Sequence, residues 1–311
     1  MKTYIFVLSV AFLIALGVGG YWYENQNSVT ATNKIQYLGV LDSDNRFDND
    51  QKLIYKHYFV AWGDTYQNDL DIAVTSIKSL QKEAIVTIEP WPQNGDTAEK
   101  MYNKIIAGDY DENIRTTCTT LASSSSKPIM RWGHEVDLAG NTRYLWATKD
   151  NELFKRGFAH VYTVCKKISP TVQIMWSPAG VDGAEKYFPG PEYVDLVGLS
   201  IFGYPAYEKK EFGKESTFDD VFSPRYNRMK QFSKPIVIAE LGAAGNDEYK
   251  KAWMDQAVKR MAELKTYPLL KGFIYFNAAD KNAWIPDIEP PDFRFNPTEL
   301  TNILNNYVPK K

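Results

Sequence analysis

The sequence is poor in the residues that announce metal, redox and nucleotide chemistry. Of 311 residues only two are cysteine, Cys118 and Cys165, and only three are histidine, His57, His134 and His160. Two cysteines cannot build a disulfide framework; both fall in helical patterns, and one bridge or two buried thiols satisfy the sequence equally. The histidines are far apart, with no HExxH or CxxC spacing, which argues against a dedicated zinc site. No G-x-G-x-x-G follows the first strand-like run, so a dinucleotide site has no support. Charge of one sign is also missing. With 36 basic and 38 acidic side chains the net charge is −2 and no Lys/Arg block occurs, so the electrostatic footprint of nucleic-acid binding is absent. No cofactor or metal is expected, and no nucleic-acid partner. Repeats are lacking, low complexity is limited to Ser123–Ser126, and no second-domain boundary interrupts the body of the chain.

The one long hydrophobic run lies at the N-terminus. After Lys2, residues 4–20 are uncharged and nearly all apolar, and the first acidic residue is Glu24. A basic start before an apolar run reads as a secretory signal, with Gly17 and Gly19 as a small-x-small cleavage site. Counting Tyr21, Trp22 and Tyr23 brings the run to about the 20 residues that span a bilayer, which reads as an uncleaved anchor with an aromatic belt. Both readings place the rest of the chain outside the cytoplasm, secreted or held to the membrane only through residues 1–23. Residues 24–34 read as a polar linker and residues 35–311 as one domain, expected to be monomeric.

Aromatic residues are plentiful: 8 Trp, 20 Tyr and 16 Phe supply flat faces that suit sugar stacking and equally fill a large core. From residue 35 onward, short apolar runs alternate with longer amphipathic stretches. The runs are 35–42, 57–64, 84–91, 128–135, 172–178, 193–202, 235–241 and 272–278. Their continuous apolarity predicts strands buried on both faces, hence a parallel sheet. Helical patterns fill the intervals, among them 70–83, 151–168 and 247–265. Eight such units predict a single (β/α)8 TIM barrel of the α/β class.

In that fold the chemistry sits at the carboxyl ends of the strands. The residues there include Asp42, Asp44, Asp64, Ser177, Ser200, Asn277 and Asp280, together with the candidates that follow. Glu135 ends the fourth run and Glu240 the seventh, so the two face each other across the barrel mouth. A pair of carboxyl groups flanking one bond is what glycoside hydrolysis needs: one protonates the leaving oxygen and the other attacks the anomeric carbon. The rival reading is two structural carboxylates, each held by an Arg or Lys. His134 is a sugar ligand or a hydrogen-bond donor to a carboxylate. Trp62, Trp91, Trp176 and Trp284 are candidates for stacking on sugar rings. Glu89 is expected to orient its neighbours, and Arg131 to pair with Glu89 or Glu240 and keep the nucleophile ionised. Asp109 and Asp111 look like helix-start caps.

The ordered series AWGD (61–64), IEPWP (88–92), AGDYDENIR (107–115), RWGHE (131–135), IMWSPAG (174–180), VDLVGLSIFGY (194–204), KPIVIAELG (234–242) and FRFNP (293–297) resembles glycoside hydrolase family 26. This is the β-mannanase family, which includes some β-1,3-1,4-glucanases, and the resemblance covers most of residues 35–300. It implies a retaining endo-β-glycosidase acting on β-1,4-mannan or a related β-linked polysaccharide, with Glu135 as acid/base, Glu240 as nucleophile and His134 beside the cleaved bond. The sequence departs from the family pattern in two places. Val136, Asp137, Leu138, Ala139 and Gly140 follow the acid where the family carries Met, Asn, Gly and a platform Trp, a role Trp146 could take only if residues 141–144 fold back. After the sixth strand, Ser200 and Phe202 stand where the family has an Asp and a Tyr that holds the nucleophile, leaving Tyr204 to serve by a shift of register. These losses weaken the inference to mannan and keep open a mixed-linkage β-glucan, an exopolysaccharide, or a non-catalytic carbohydrate-binding barrel.

Overall fold

The computed structural model describes residues 35–262 and 265–307. The signal or anchor segment 1–23 and the linker 24–34 lie outside the described residues, and among these no helix is long and apolar enough to cross a membrane. Eight parallel strands close on themselves in sequence order: β1 (Tyr37–Asp42), β2 (Tyr55–Ala61), β3 (Glu83–Glu89), β4 (Ile129–Trp132), β5 (Gln173–Trp176), β6 (Leu196–Gly203), β7 (Ile236–Ala243) and β8 (Leu270–Asn277). The ring is completed where β1 pairs with β8, from Tyr37 opposite Gly272 to Asp42 opposite Asn277. Around it run α1 (Tyr66–Ser79), α2 (Ala98–Ala107), α3 (Asp111–Ala122), α4 (Asn151–Ile168), α5 (Pro205–Phe212), α6 (Phe218–Met229), α7 (Asp247–Ala262) and α8 (Pro297–Tyr307). This is the expected (β/α)8 barrel.

Each strand serves two cores because successive side chains point to opposite faces. Tyr37, Tyr55, Ile85, Ile129, Met175, Leu196, Val237, Ala239 and Ile274, at least one from every strand, fill the lumen. The outward residues, Trp132 and Trp176 among them, pack beneath the helices. The lumen is tight: a Cβ on Gly198 would lie 2.5 Å from Ser177 Oγ.

Each of the eight expected runs overlaps one strand, with informative differences at their ends. Strands β4 and β5 stop at Trp132 and Trp176, earlier than the apolar runs do; after β4 the chain leaves the ladder through Gly133 at φ +58°. The helix expected over 70–83 runs from Tyr66 to Ser79 and stops before Gln81, which adopts φ +53°. Asp109 and Asp111 do not cap α3: its N-cap is Tyr110, without a side-chain cap bond, and Asp111 instead pairs with Arg115 and His160. The cysteine alternative resolves to a bridge, Cys118 of α3 to Cys165 of α4 with Cα atoms 5.5 Å apart.

Candidate active site

Above the apolar lumen lies a layer of polar side chains centred on Arg131, which is wholly buried. A guanidinium there needs partners, and four of its donors find them on or just beyond β3, β5, β6 and β7. Nε donates to Ser177 Oγ at 2.8 Å, Nη2 to Ser200 Oγ at 3.2 Å, and Nη1 to Glu240 Oε1 at 2.6 Å and Thr87 Oγ1 at 3.4 Å. His57 joins the layer through a 2.7 Å bond between Nε2 and Thr87 Oγ1. Of the two partners expected for Arg131, Glu240 is the one found.

Glu240 points inward because β7 is irregular. Leu199 lies opposite Ile238 but Ser200 lies opposite Glu240, so one residue of β7 is extra, and on the other side Ile238 and Leu241 pair with Phe273 and Tyr275. Val237 and Ala239 already face the lumen. Strict alternation would put Leu241 inward next; the bulge turns in Glu240 instead, the re-aiming that bulges perform beside active sites.

Glu135 arrives by a different device. It stands three residues beyond β4 with φ +54°, a left-handed conformation rare for a side chain of this kind, and its N–H donates to Ser177 O at 2.8 Å. Strain of this sort persists only where the surroundings impose it, and it collects at functional sites. Both carboxylates are buried, each only 6% exposed, and the charge of Glu135 acts on Glu240. The Glu240 carboxyl is raised to about 7, chiefly by burial and further by the charge of Glu135, against the opposing pull of Arg131.

The rest of the mouth is aromatic. His134 contacts Phe59 at 5.4 Å, Tyr144 at 5.5 Å and Trp146 at 5.2 Å between ring centroids. Burial and the charge of Arg131 hold both His134 and His57 well below the ordinary imidazole value, so both are neutral. From Phe59 a wall of half-buried phenylalanines continues through Phe276 to Phe202 and ends on Trp284. Glu89 is half-buried at the end of β3, raised by burial, and accepts from Trp91 Nε1 at 3.3 Å.

The residues expected at the site therefore divide. Glu135, Glu240, Arg131 and His134 converge, with Glu89 and Trp91 at their edge. Trp176 does not join them: it is 1% exposed, on the outer face of β5, enclosed by Phe188 and Phe232. Trp62 is likewise turned away, stacked on Tyr110 and edge-on to Trp132. Tyr204 does not hold Glu240; its hydroxyl donates to Glu289 O while its ring packs on Trp284 at the rim. Trp146 is no platform, being fully buried behind His134 with Nε1 donating to His134 O at 2.7 Å. Arg143 and Tyr144 are at the mouth although nothing singled them out in the sequence. They lie in an aperiodic loop whose path is set by tertiary contacts alone.

Sequence comparison gives a match to the Glycosyl hydrolase family 26 profile over residues 95–267, a span containing both Glu135 and Glu240. Endoglucanase H of Acetivibrio thermocellus is 24% identical over 279 residues, 85% of this chain and 28% of that protein. Beta-1,3-xylanase TXYA of a Vibrio species is 24% identical over 196 residues, 57% of this chain and 41% of that one. The chain thus spans less than half the length of either relative. Among solved structures, a beta-mannanase from a symbiotic protist of the termite Reticulitermes speratus, complexed with gluco-manno-oligosaccharide, superposes with a TM-score of 0.52 at 13% identity, covering 83% of this chain and 79% of that one. A broad specificity endoglucanase from Clostridum cellulovorans gives 0.58 at 14% identity, covering 90% and 95%. At such identities the structural likeness speaks for the barrel fold.

Proposed function

The chain belongs to glycosyl hydrolase family 26, and on that premise we propose that it is an exported, retaining endo-β-glycosidase with Glu135 as acid/base and Glu240 as nucleophile. The observation that carries this reading is the placing of two buried carboxyls, one by a left-handed turn and one by a bulge, in each other's field with a single guanidinium on one of them. The Arg131 bond favours the ionised form of Glu240, the form a nucleophile needs, and leaves Glu135 to act as the acid. In the first step Glu135 gives a proton to the glycosidic oxygen, the bond from the anomeric carbon to that oxygen breaks, and a Glu240 oxygen bonds to the same carbon. In the second step Glu135 takes a proton from water, whose oxygen displaces Glu240. Neutral His134 offers the sugar a hydrogen bond without adding charge.

The substrate we propose is β-1,4-mannan or a related β-linked glucan or xylan. The names of the relatives span these polymers, and the phenylalanine wall supplies apolar contact without dictating which hydroxyls are axial. Export is supported by the N-terminal apolar run and by the Cys118–Cys165 bridge, which suits an oxidising compartment.

The test is product release from mannan, glucomannan, mixed-linkage β-glucan, β-1,3-xylan and β-1,4-xylan by residues 28–311, with Glu240→Ala as the blank. Hydrolysis of one polymer, abolished by the substitution, supports the reading. A folded protein that binds polymer and cleaves none would make it a carbohydrate-binding barrel.

A further inference from the structure

The loop between β4 and α4 brings a tyrosine back over the carboxyl pair. The ring of Tyr144 meets the rings of His134 and Trp146 edge-on, each at 5.5 Å, and its hydroxyl lies beside the Glu135 carboxyl, whose charge, after burial, raises it. The charge of Glu240 acts on it as well. On one flank the loop is pinned by the bond from Trp146 Nε1 to His134 O. On the other, Arg143 donates Nη1 and Nη2 to the two oxygens of Asp280 at 3.1 Å each. Asp280 lies just beyond β8 and also accepts from Trp284 Nε1 at 2.6 Å. In a closed ring of eight, β4 and β8 stand opposite each other, so the Arg143–Asp280 pair ties the loop across the mouth.

We propose that Tyr144 is the positioning residue of the acid/base carboxyl, its hydroxyl orienting Glu135, and that the Arg143–Asp280 pair is the clasp that holds it over the site. The inference rests on the hydrolase reading above. The chemistry requires such a group: when Glu135 has passed its proton to the leaving oxygen it is a buried carboxylate, and a hydroxyl aimed at it stabilises the charge where it appears. The left-handed backbone of Glu135 adds to the need, since a residue in that conformation is oriented by its neighbours and not by a regular ladder.

The experiment compares Tyr144→Phe, which keeps the ring contacts and removes only the hydroxyl, with Arg143→Ala, Asp280→Asn and the double clasp variant. Expected for Tyr144→Phe is an unchanged melting temperature and a kcat about tenfold lower on polymer. Aryl glycosides with good leaving groups, which need no proton, lose less in the glycosylation step, and the pH limb reporting loss of the acid's proton moves upward. The clasp variants fall on polymer in the same sense, with the double variant no worse than either single one. Equal kinetics and pH profile in Tyr144→Phe and wild type would overturn the proposal. A second readout needs no turnover: carboxyl-13C titration of the two glutamates, assigned with Glu135→Gln, must change in Tyr144→Phe, and an unchanged titration likewise refutes it. Should the wild type cleave nothing, the hydrolase reading fails on its own while this titration still decides whether Tyr144 acts on Glu135.

Discussion

Nη1 of Arg131 lies 2.6 Å from Oε1 of Glu240 in a lumen where the guanidinium has no exposure at all. One buried cation thereby couples Glu240 to Thr87 of β3, Ser200 of β6 and Ser177 just beyond β5, and the position of Glu240 depends on a network, not on its own strand. Arg131→Lys preserves the charge but cannot fork to four acceptors. It is expected to lower kcat/KM by about a hundredfold and to lower the melting temperature, because several buried hydroxyls lose a partner at once. Steady-state kinetics and calorimetry on the variant check both.

Stability should carry a pH signature of Glu240. Its native value is raised from 4.5 to about 7, so between those limits the native state holds more protons than the unfolded chain. The contribution is therefore full below the window and lost as pH rises through 7, a change of about 3 kcal/mol. His57 and His134, lowered by burial, act in the opposite sense below 6.5, but they are common to wild type and Glu240→Gln. In urea melts from pH 4.5 to 8, wild-type stability should fall relative to Glu240→Gln. A flat difference would show that Glu240 titrates alike in both states.

Removing the acid should discriminate between substrates. Glu135→Ala is expected to lose two or more orders of magnitude on polysaccharide, about the worth of general acid catalysis, and far less on aryl glycosides whose leaving groups need no proton. Azide, small enough to enter the space vacated, should restore the second step and yield a glycosyl azide detectable by mass spectrometry.

The bridge between Cys118 and Cys165 closes a loop with a sequence separation of 47, for which the chain-entropy relation gives about 4 kcal/mol. Replacing both cysteines by serine should lower the melting temperature by roughly 10 °C without changing KM, since α3 and α4 lie outside the mouth. A scan with and without reductant on the wild type gives the same comparison.

The barrel was legible because parallel strands buried on both faces leave continuous apolar runs, and such runs survive translation into one dimension. The carboxyl pair was legible for the same reason: Glu135 and Glu240 interrupt apolarity at run ends, where a charge needs a cause. The orientation of the aromatics was not. Trp176 and Trp91 both stand near run ends, yet Trp176 closes β5 facing the helices while Trp91 lies two residues beyond β3, against Trp146, and the runs do not show where each strand stops. The bulge that turns in Glu240 has no signal in IVIAELG, because it exists only relative to β6 and β8. Tyr144 and Arg143 were invisible because their loop is placed by Asp280 and His134, partners distant or unaligned in sequence.

Glu240 is expected to form a covalent bond to the sugar, and trapping of that intermediate is the decisive measurement. A fluorinated aryl glycoside of the sugar identified in the polymer panel slows the second step more than the first, and peptide mapping by mass spectrometry then locates the label. Expected is one sugar per chain, on the peptide containing Glu240, absent in Glu240→Gln and formed in the wild type with loss of activity. Turnover without any trapped intermediate, together with an inverted anomer in the first product, would contradict it, as would a label on any other residue.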